Sequence, residues 1–487
     1  MTPDGRPNDR ADGYMTSVAY TYDYHRELNP LHMRLALLAA GIAPPEVATA
    51  CELGCGQGIS LAIHAAASPT RWFGTDVNPE HVAFARTLAD AAGVDIRLMD
   101  DAFADFAVRA DLPAFDFVAL HGVWSWISEQ NRRTVVEFVG RHLKPGGVFF
   151  LSYNALPGSA SFGPVRHVLA QHAERTGGQR DVAGRVEAAI AFGERLAAAG
   201  AAYLQDNPRD AARLARLRQE DARYLAHEYF GRDWTPMHFA DVAACLADAG
   251  LGFACTASPF ETLDALNLEP EQHAILAAID DPVFRQTVRD FLVNQRFRRD
   301  YWVRDARRLS PAERADGLRD TRLVLAAQRL ELPREMRAVL ALNPRAPRAG
   351  IVSAIAGLFA DRRARPLGEV EKALPDVPFE RIVEAVMLLI GYDRLAPAQD
   401  DATARRVRPH TDRLNACLFR SSTAERDLRH FASPLTGGGV RVRRAHIPLL
   451  TMTRGGAGLD ERAEAGTEDA AVFARDVLPV LKALGVT

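Results

Sequence analysis

Glu52 stands one residue before the turn sequence Gly54-Cys55-Gly56-Gln57-Gly58, at the end of a short apolar run over 48–53. Glycines at alternate positions let a backbone pass close to a ligand where a Cβ would clash. A nucleotide-like ligand would then lie at the carboxyl ends of the strands, with Glu52 or the turn's own backbone holding a cationic end. The next apolar run, Trp72-Phe73-Gly74-Thr75, ends in Asp76, about twenty residues on, where a carboxylate can accept both hydroxyls of a ribose. Asn78-Pro79-Glu80 follows it. Asp100-Asp101-Ala102-Phe103 offers an acid for an adenine amino group and an apolar residue for its face. The run Phe115–Leu120 leads into a polar, aromatic stretch with His121, Trp124 and Trp126, and Lys144-Pro145-Gly146-Gly147 completes the order. Singly, Asp76 reads as a helix N-cap and Lys-Pro-Gly-Gly as a turn. In this order and at these intervals the set points to S-adenosylmethionine; a nicotinamide site prefers the longer Gly-x-Gly-x-x-Gly fingerprint.

Such residues need a scaffold that brings loop after loop to one edge. Residues 47–152 alternate between strand-like and helix-like segments: strands over 48–53, 71–75, 94–98, 115–120 and 148–153, with helices between them. That alternation means βαβ units, a parallel sheet and helices on both faces, an α/β Rossmann-like domain. Residues 160–330 read as mostly helical, with helices near 180–200, 208–229, 236–249, 270–278 and 281–300 and one short strand over 252–257. Farther on, 367–374, 378–391 and 394–397 read as helix, helix and strand, compatible with a winged helix. An amphipathic helix covers 468–484. The expected division is 1–45, an N-terminal segment and candidate lid; 46–160, the cofactor-binding Rossmann-like domain; 161–330, a helical regulatory or substrate domain; and 331–487, a winged-helix-like C-terminal domain. Residues 1–13 read as disordered.

The resemblance reaches beyond the general fold. Tyr22-x-Tyr24-x-x-Glu27-Leu28-Asn29-Pro30, the 52–58 turn, and Ser152-Tyr153-Asn154-Ala155-Leu156-Pro157-Gly158 resemble bacterial proteins in which a class I methyltransferase domain precedes a methyltransferase regulatory domain. Tyr224–Phe230 and Val293–Asp300 are similar to the second of these. The group includes rickettsial protein lysine methyltransferases that modify outer-membrane surface proteins. The resemblance covers nearly the whole chain and implies the fold and the cofactor. It also implies a protein substrate, with lysine as acceptor.

Methyl transfer is an in-line displacement, so the protein must chiefly position and polarise. A lysine amine, with an ordinary pKa of ~10.4, must first lose a proton. The expected cofactor-binding residues are Tyr22, Glu52, Gly54, Gly56, Gly58, Asp76, Asn78, Asp100, Asp101, Ala102, Phe103 and His121; the expected catalytic or acceptor-shaping ones are His121, Trp124, Tyr153 and Asn154. Tyr20, Tyr22 and Tyr24 alternate in the candidate lid. Each has a plainer reading: alternating tyrosines make a half-buried edge, a histidine at a strand end is often only hydrogen-bonded, and the tryptophans pack in the core.

A formal net charge of -3 argues against a strongly basic nucleic-acid binder. Of 59 basic residues only Lys144, Lys372 and Lys482 are lysines, as a GC-rich genome would produce. The five cysteines are odd in number, with no Cys-x-x-Cys pair, so neither a disulfide framework nor a metal site is expected. With no signal peptide and no apolar stretch of ~18 residues, the reading is cytoplasmic, without membrane insertion. A homodimer is compatible with all of this. The rival readings are a small-molecule methyltransferase, which would need a closed apolar pocket, and a cofactor-sensing regulatory protein without turnover.

Overall fold

The computed structural model describes residues 21–176, 181–220, 222–231, 233–327, 332–422, 428–454 and 472–487. Tyr20, the 1–13 segment and the start of the amphipathic tail lie outside these residues. The described part of that tail is a turn of π-helix, Phe473–Val477, continued by the helix Leu478–Ala483.

Seven strands form one sheet: β1 Thr49–Leu53, β2 Arg71–Thr75, β3 Arg97–Met99, β4 Phe115–Leu120, β5 Leu143–Asn154, β6 Leu251–Thr256 and β7 Phe297–Arg304. Their order is β3-β2-β1-β4-β5-β7-β6. The first five are parallel, and β7 runs antiparallel between β5 and β6. Strand residues alternate between two buried faces. Cys51, Phe73, Val118, Phe149 and Trp302 pack toward the helices Glu129–His142 and Phe239–Ala247. Ala50, Trp72, Phe117, Phe150 and Tyr301 pack toward Pro30–Ala39, Ile59–Ala67 and Pro79–Ala92. Burial on both faces explains why these strands read as continuous apolar runs.

The sheet corrects one helix. The segment read as helical to residue 300 leaves its helix at Val293, and 297–304 is a strand interior to the sheet. Its charged residues hid it: Arg298 is buried, with Nη1 2.5 Å from Asp290 and Nε 2.7 Å from Asp300. Each charge is compensated, as burial demands.

Between β5 and β6 come the helices from Gly163–Thr176 to Ala222–Phe230, which share a core of Phe162, Leu169, Ile190, Leu214 and Leu225. Beyond β7, β8 Arg322–Leu325, β9 Arg365–Pro366 and β10 Leu395–Pro397 form a three-stranded antiparallel sheet beside the helices Ala349–Leu358, Leu367–Ala373 and Phe379–Gly391. β8 lies before residue 331, yet pairs with both later strands. The helix Asp401–Ser421 and the hairpin β11 His430–Ser433 and β12 Gly438–Arg441 pack back against Ile59–Ala67. Among the described residues no helix is long and apolar enough to cross a membrane.

Candidate active site

A cleft enclosing about 810 Å³ opens at the carboxyl edge of the parallel strands. Its first wall is the turn after β1. Gly54, Gly56 and Gly58 have φ of 65°, 53° and 68°, the left-handed region that favours glycine. A Cβ on Gly58 would lie 2.5 Å from the Ala85 Cβ, so the glycine also lets two helices approach. Asp76 closes the turn from the end of β2. Its Oδ2 accepts the Gly56 N–H at 2.8 Å and its Oδ1 the Asn78 N–H at 2.9 Å; His81 Nδ1 lies 3.2 Å from Oδ1. Asn78 caps the helix Pro79–Ala92 by accepting the Glu80 N–H at 3.0 Å. Thr75 donates to the Asp101 carbonyl at 2.7 Å, holding the β3 loop against β2. From that loop Asp101, Ala102 and Phe103 line the cleft.

Seven sequence-predicted residues thus meet here: Gly54, Gly56, Asp76, Asp101, Ala102, Phe103 and His121. Gly58 and Asn78 stand behind them and shape the turn and the helix start. Asp100 points outward to Arg86, 3.6 Å away. Tyr22 rests edge-on against Phe84 and does not line the cleft.

Glu52 is buried at the end of β1, behind the turn and off the cleft lining, and among the described residues its Oε2 has no hydrogen-bond partner. Burial, aided by the nearby Asp76 carboxylate, pushes its pKa up to about 8. An unsatisfied buried oxygen beside a glycine turn is what a cationic ligand would relieve. Together, the side-chain-free turn, the carboxylate after β2 and this orphaned oxygen fit the sulfonium, ribose and amino groups of S-adenosylmethionine.

His121 forms the far wall. Its ring stacks on His25 at 3.5 Å between centroids and on Phe150 at 5.8 Å. Burial, then His25 and Arg299, hold its pKa well below the usual imidazole range, so the ring is neutral. The other expected acceptor residues are packed elsewhere. Trp124 is fully buried, with Nε1 3.3 Å from Met237 Sδ; Trp126 lines the cleft in its place. Tyr153 is 1% exposed in the core, and Asn154 donates its N–H to Ser125 Oγ at 2.9 Å; neither lines the cleft.

Val77, Ile127, Asn131, His227 and Glu228 complete the wall without having been read as site residues. His227 and Glu228 come from the helix Ala222–Phe230, about 70 residues beyond Asn154, the last predicted site residue. Their one signal was the Tyr224–Phe230 stretch, singled out for its resemblance and not for its chemistry. Burial pushes the Glu228 pKa up to about 7, against the opposing pull of Arg166 and Arg213. Arg166 lies over both Trp126 and Trp234, which are themselves 6.3 Å apart, its guanidinium 5.3 and 5.0 Å from their ring centres.

On the other side of the His25–His121 stack lies a larger chamber of about 2480 Å³. His121 lines both spaces. The chamber draws on the N-terminal segment, β7, the β10 region, the β11–β12 hairpin and the last helix.

The comparisons agree with this geometry. Residues 50–147 match the family described as "Methyltransferase domain", and 221–304 match "Predicted methyltransferase regulatory domain". A Synechocystis protein, sll1526, is 32% identical over 449 residues, covering 90% of this chain and 87% of its own length. RP789 of Rickettsia prowazekii is 26% identical over 282 residues, 55% of this chain and 49% of that protein. Among solved structures, PKMT2 from Rickettsia typhi in complex with AdoHcy has the same fold, with a TM-score of 0.65 at 18% identity over 92% of this chain and 90% of that one. The chain belongs to the class I S-adenosylmethionine-dependent methyltransferases that carry a methyltransferase regulatory domain. It is an enzyme, and S-adenosylmethionine is its cofactor.

Proposed function

We propose that the enzyme methylates lysine side chains of proteins. The observation that carries this is the open, mixed polar and apolar chamber next to the cofactor cleft, with His121 lining both. A small-molecule enzyme would instead enclose its acceptor in an apolar pocket. The likeness of fold to a rickettsial protein lysine methyltransferase supports the same reading.

S-adenosylmethionine supplies an electrophilic methyl group on a sulfonium. In this proposal Gly54 and Gly56 give it room, Asp76 holds the ribose, Asp101, Ala102 and Phe103 hold the adenine, and Glu52 faces its cationic end. The neutral His121 and the stacked His25 line the acceptor's path. Burial around them disfavours a charged ammonium, so an incoming lysine gives up its proton more easily. Glu228 is the cleft group best matched to exchange protons near neutral pH. We further propose that 46–160 with β6 and β7 forms the cofactor unit, that the helices between β5 and β6 form the middle unit, and that 331–487 with β8 forms the last. The last is winged-helix-like and serves protein contacts.

The test is transfer of labelled methyl into a lysate of the source cells, wild type against Asp76→Ala. Label in discrete protein bands, traced to lysine by mass spectrometry and lost in the variant, is the expected result. Asp76→Ala should weaken cofactor binding about 100-fold, the loss of charge-assisted hydrogen bonds worth ~1.5–3 kcal/mol each. Label confined to small molecules would overturn the lysine reading.

A further inference from the structure

The chamber beyond His121 is strongly positive in a chain whose formal net charge is -3. Seven arginines line it against three carboxylates, Glu27, Asp393 and Asp476, a formal excess of four positive charges. Two of the arginines are already answered: Arg26 pairs with Asp393, and Arg299 lies 3.5 Å from Glu27. Arg441, Arg443 and Arg444 are exposed and form no ion pair among the described residues. They sit within four residues of one another, on the end of β12 and the turn after it. Burial holds His25, His32 and His121 below the usual imidazole range, and burial, then Arg441, pull His430 down to about 4.

We propose that this chamber binds an acidic polypeptide segment, the stretch of substrate that flanks the acceptor. The proposal rests on the reading that the acceptor belongs to a protein. Three arginines at the end of β12 and in the turn after it present planar, bidentate donors to side-chain carboxylates. Because His121 lines both spaces, a segment held on β12 delivers its acceptor toward the cofactor cleft. Polypeptide fits better than nucleic acid. Glu27, Asp393 and Asp476 interrupt the positive lining, and a uniformly charged phosphate chain would meet repulsion at each. The negative chain as a whole gives no long-range attraction to nucleic acid.

The test measures binding and turnover separately on the full chain. Fluorescence anisotropy compares a short lysine peptide with glutamate flanks, the same peptide with serine flanks, and a single-stranded RNA of equal length, at low and high salt. The glutamate peptide should bind roughly tenfold more tightly than the serine peptide, the summed effect of three exposed charge pairs. Added salt should shrink the difference. R441E/R443E/R444E should abolish it while cofactor affinity and the circular dichroism spectrum stay unchanged; the triple glutamine variant, a milder change at the same sites, should give an intermediate loss. Equal affinity for both peptides, or tighter binding of the RNA, overturns the proposal. Tight binding of the glutamate peptide without lysine methylation leaves the chamber's role standing and sinks the lysine reading alone.

Discussion

Asp76 and Glu52 sit one strand apart and do opposite things with a negative charge. Asp76 is satisfied by backbone N–H groups from its own loop and from the glycine turn. Glu52 keeps an oxygen with no partner among the described residues, and burial raises its pKa to about 8. The sign follows directly. Between its ordinary value and about 8, the folded protein holds this proton more tightly than the unfolded chain, so stability falls as pH rises across that window. On the proposal that Glu52 faces the cationic end of the cofactor, binding favours the ionised form and expels the proton. S-adenosylmethionine affinity, followed by calorimetry, should therefore climb as pH rises toward about 8 and level off above it. Glu52→Gln should flatten that profile and cost roughly tenfold in affinity at the plateau. It should also raise the melting temperature of the cofactor-free protein by roughly 3 °C above pH 8, with little change near pH 5. Both residues were legible as types and spacing. Their contrast was not, because it depends on which N–H groups the fold aims at each carboxylate.

At the scale of elements, the glycine turn is the part most fully written in the sequence. Its three glycines adopt the backbone that only glycine takes without strain, and Gly58 also admits Ala85 of the next helix. Gly58→Ala should cost about 1–3 kcal/mol of stability by thermal melting, from strain and from the displaced helix, and should weaken cofactor binding with it. β7 is the opposite case. Its pattern has the strand period of two, with Arg298, Asp300 and Trp302 toward one face and Arg299, Tyr301 and Val303 toward the other. Charges at inward positions look like a solvated helix until Asp290 is seen to arrive from the helix before the strand. Periodicity registers polarity, and it carries no record of a partner brought by folding.

The whole molecule joins parts that are far apart in the chain. Two strands of the cofactor domain's sheet, β6 and β7, are supplied from residues 251–304, after the helical region has been made. His227 and Glu228 from that region close the cofactor cleft, and the β11–β12 hairpin from near the end of the chain helps to wall the chamber. The regulatory region thereby lines the cleft. Glu228→Gln should lower kcat about 100-fold, the usual contribution of a positioned acid or base, while leaving the cofactor dissociation constant within about twofold. The pH profile of kcat in the wild type should carry a limb near 7 that the variant lacks. An unchanged kcat would assign Glu228 to the walls of the cleft and leave proton exchange to solvent.

By itself the sequence determined the Rossmann-like unit, the glycine turn, the carboxylate that ends β2 and the loop after β3 that lines the cleft. These lie within short spans of chain, where residue type, spacing and backbone conformation are one local problem. Tertiary structure alone decided that Asp101 and not Asp100 lines the cleft, that Trp126 stands where Trp124 was expected, and that Tyr153 packs in the core. It also decided that arginines from distant elements gather in one chamber beside His121. Burial, shared walls and electrostatic fields arise from contacts between elements, and those exist only once the chain has closed on itself.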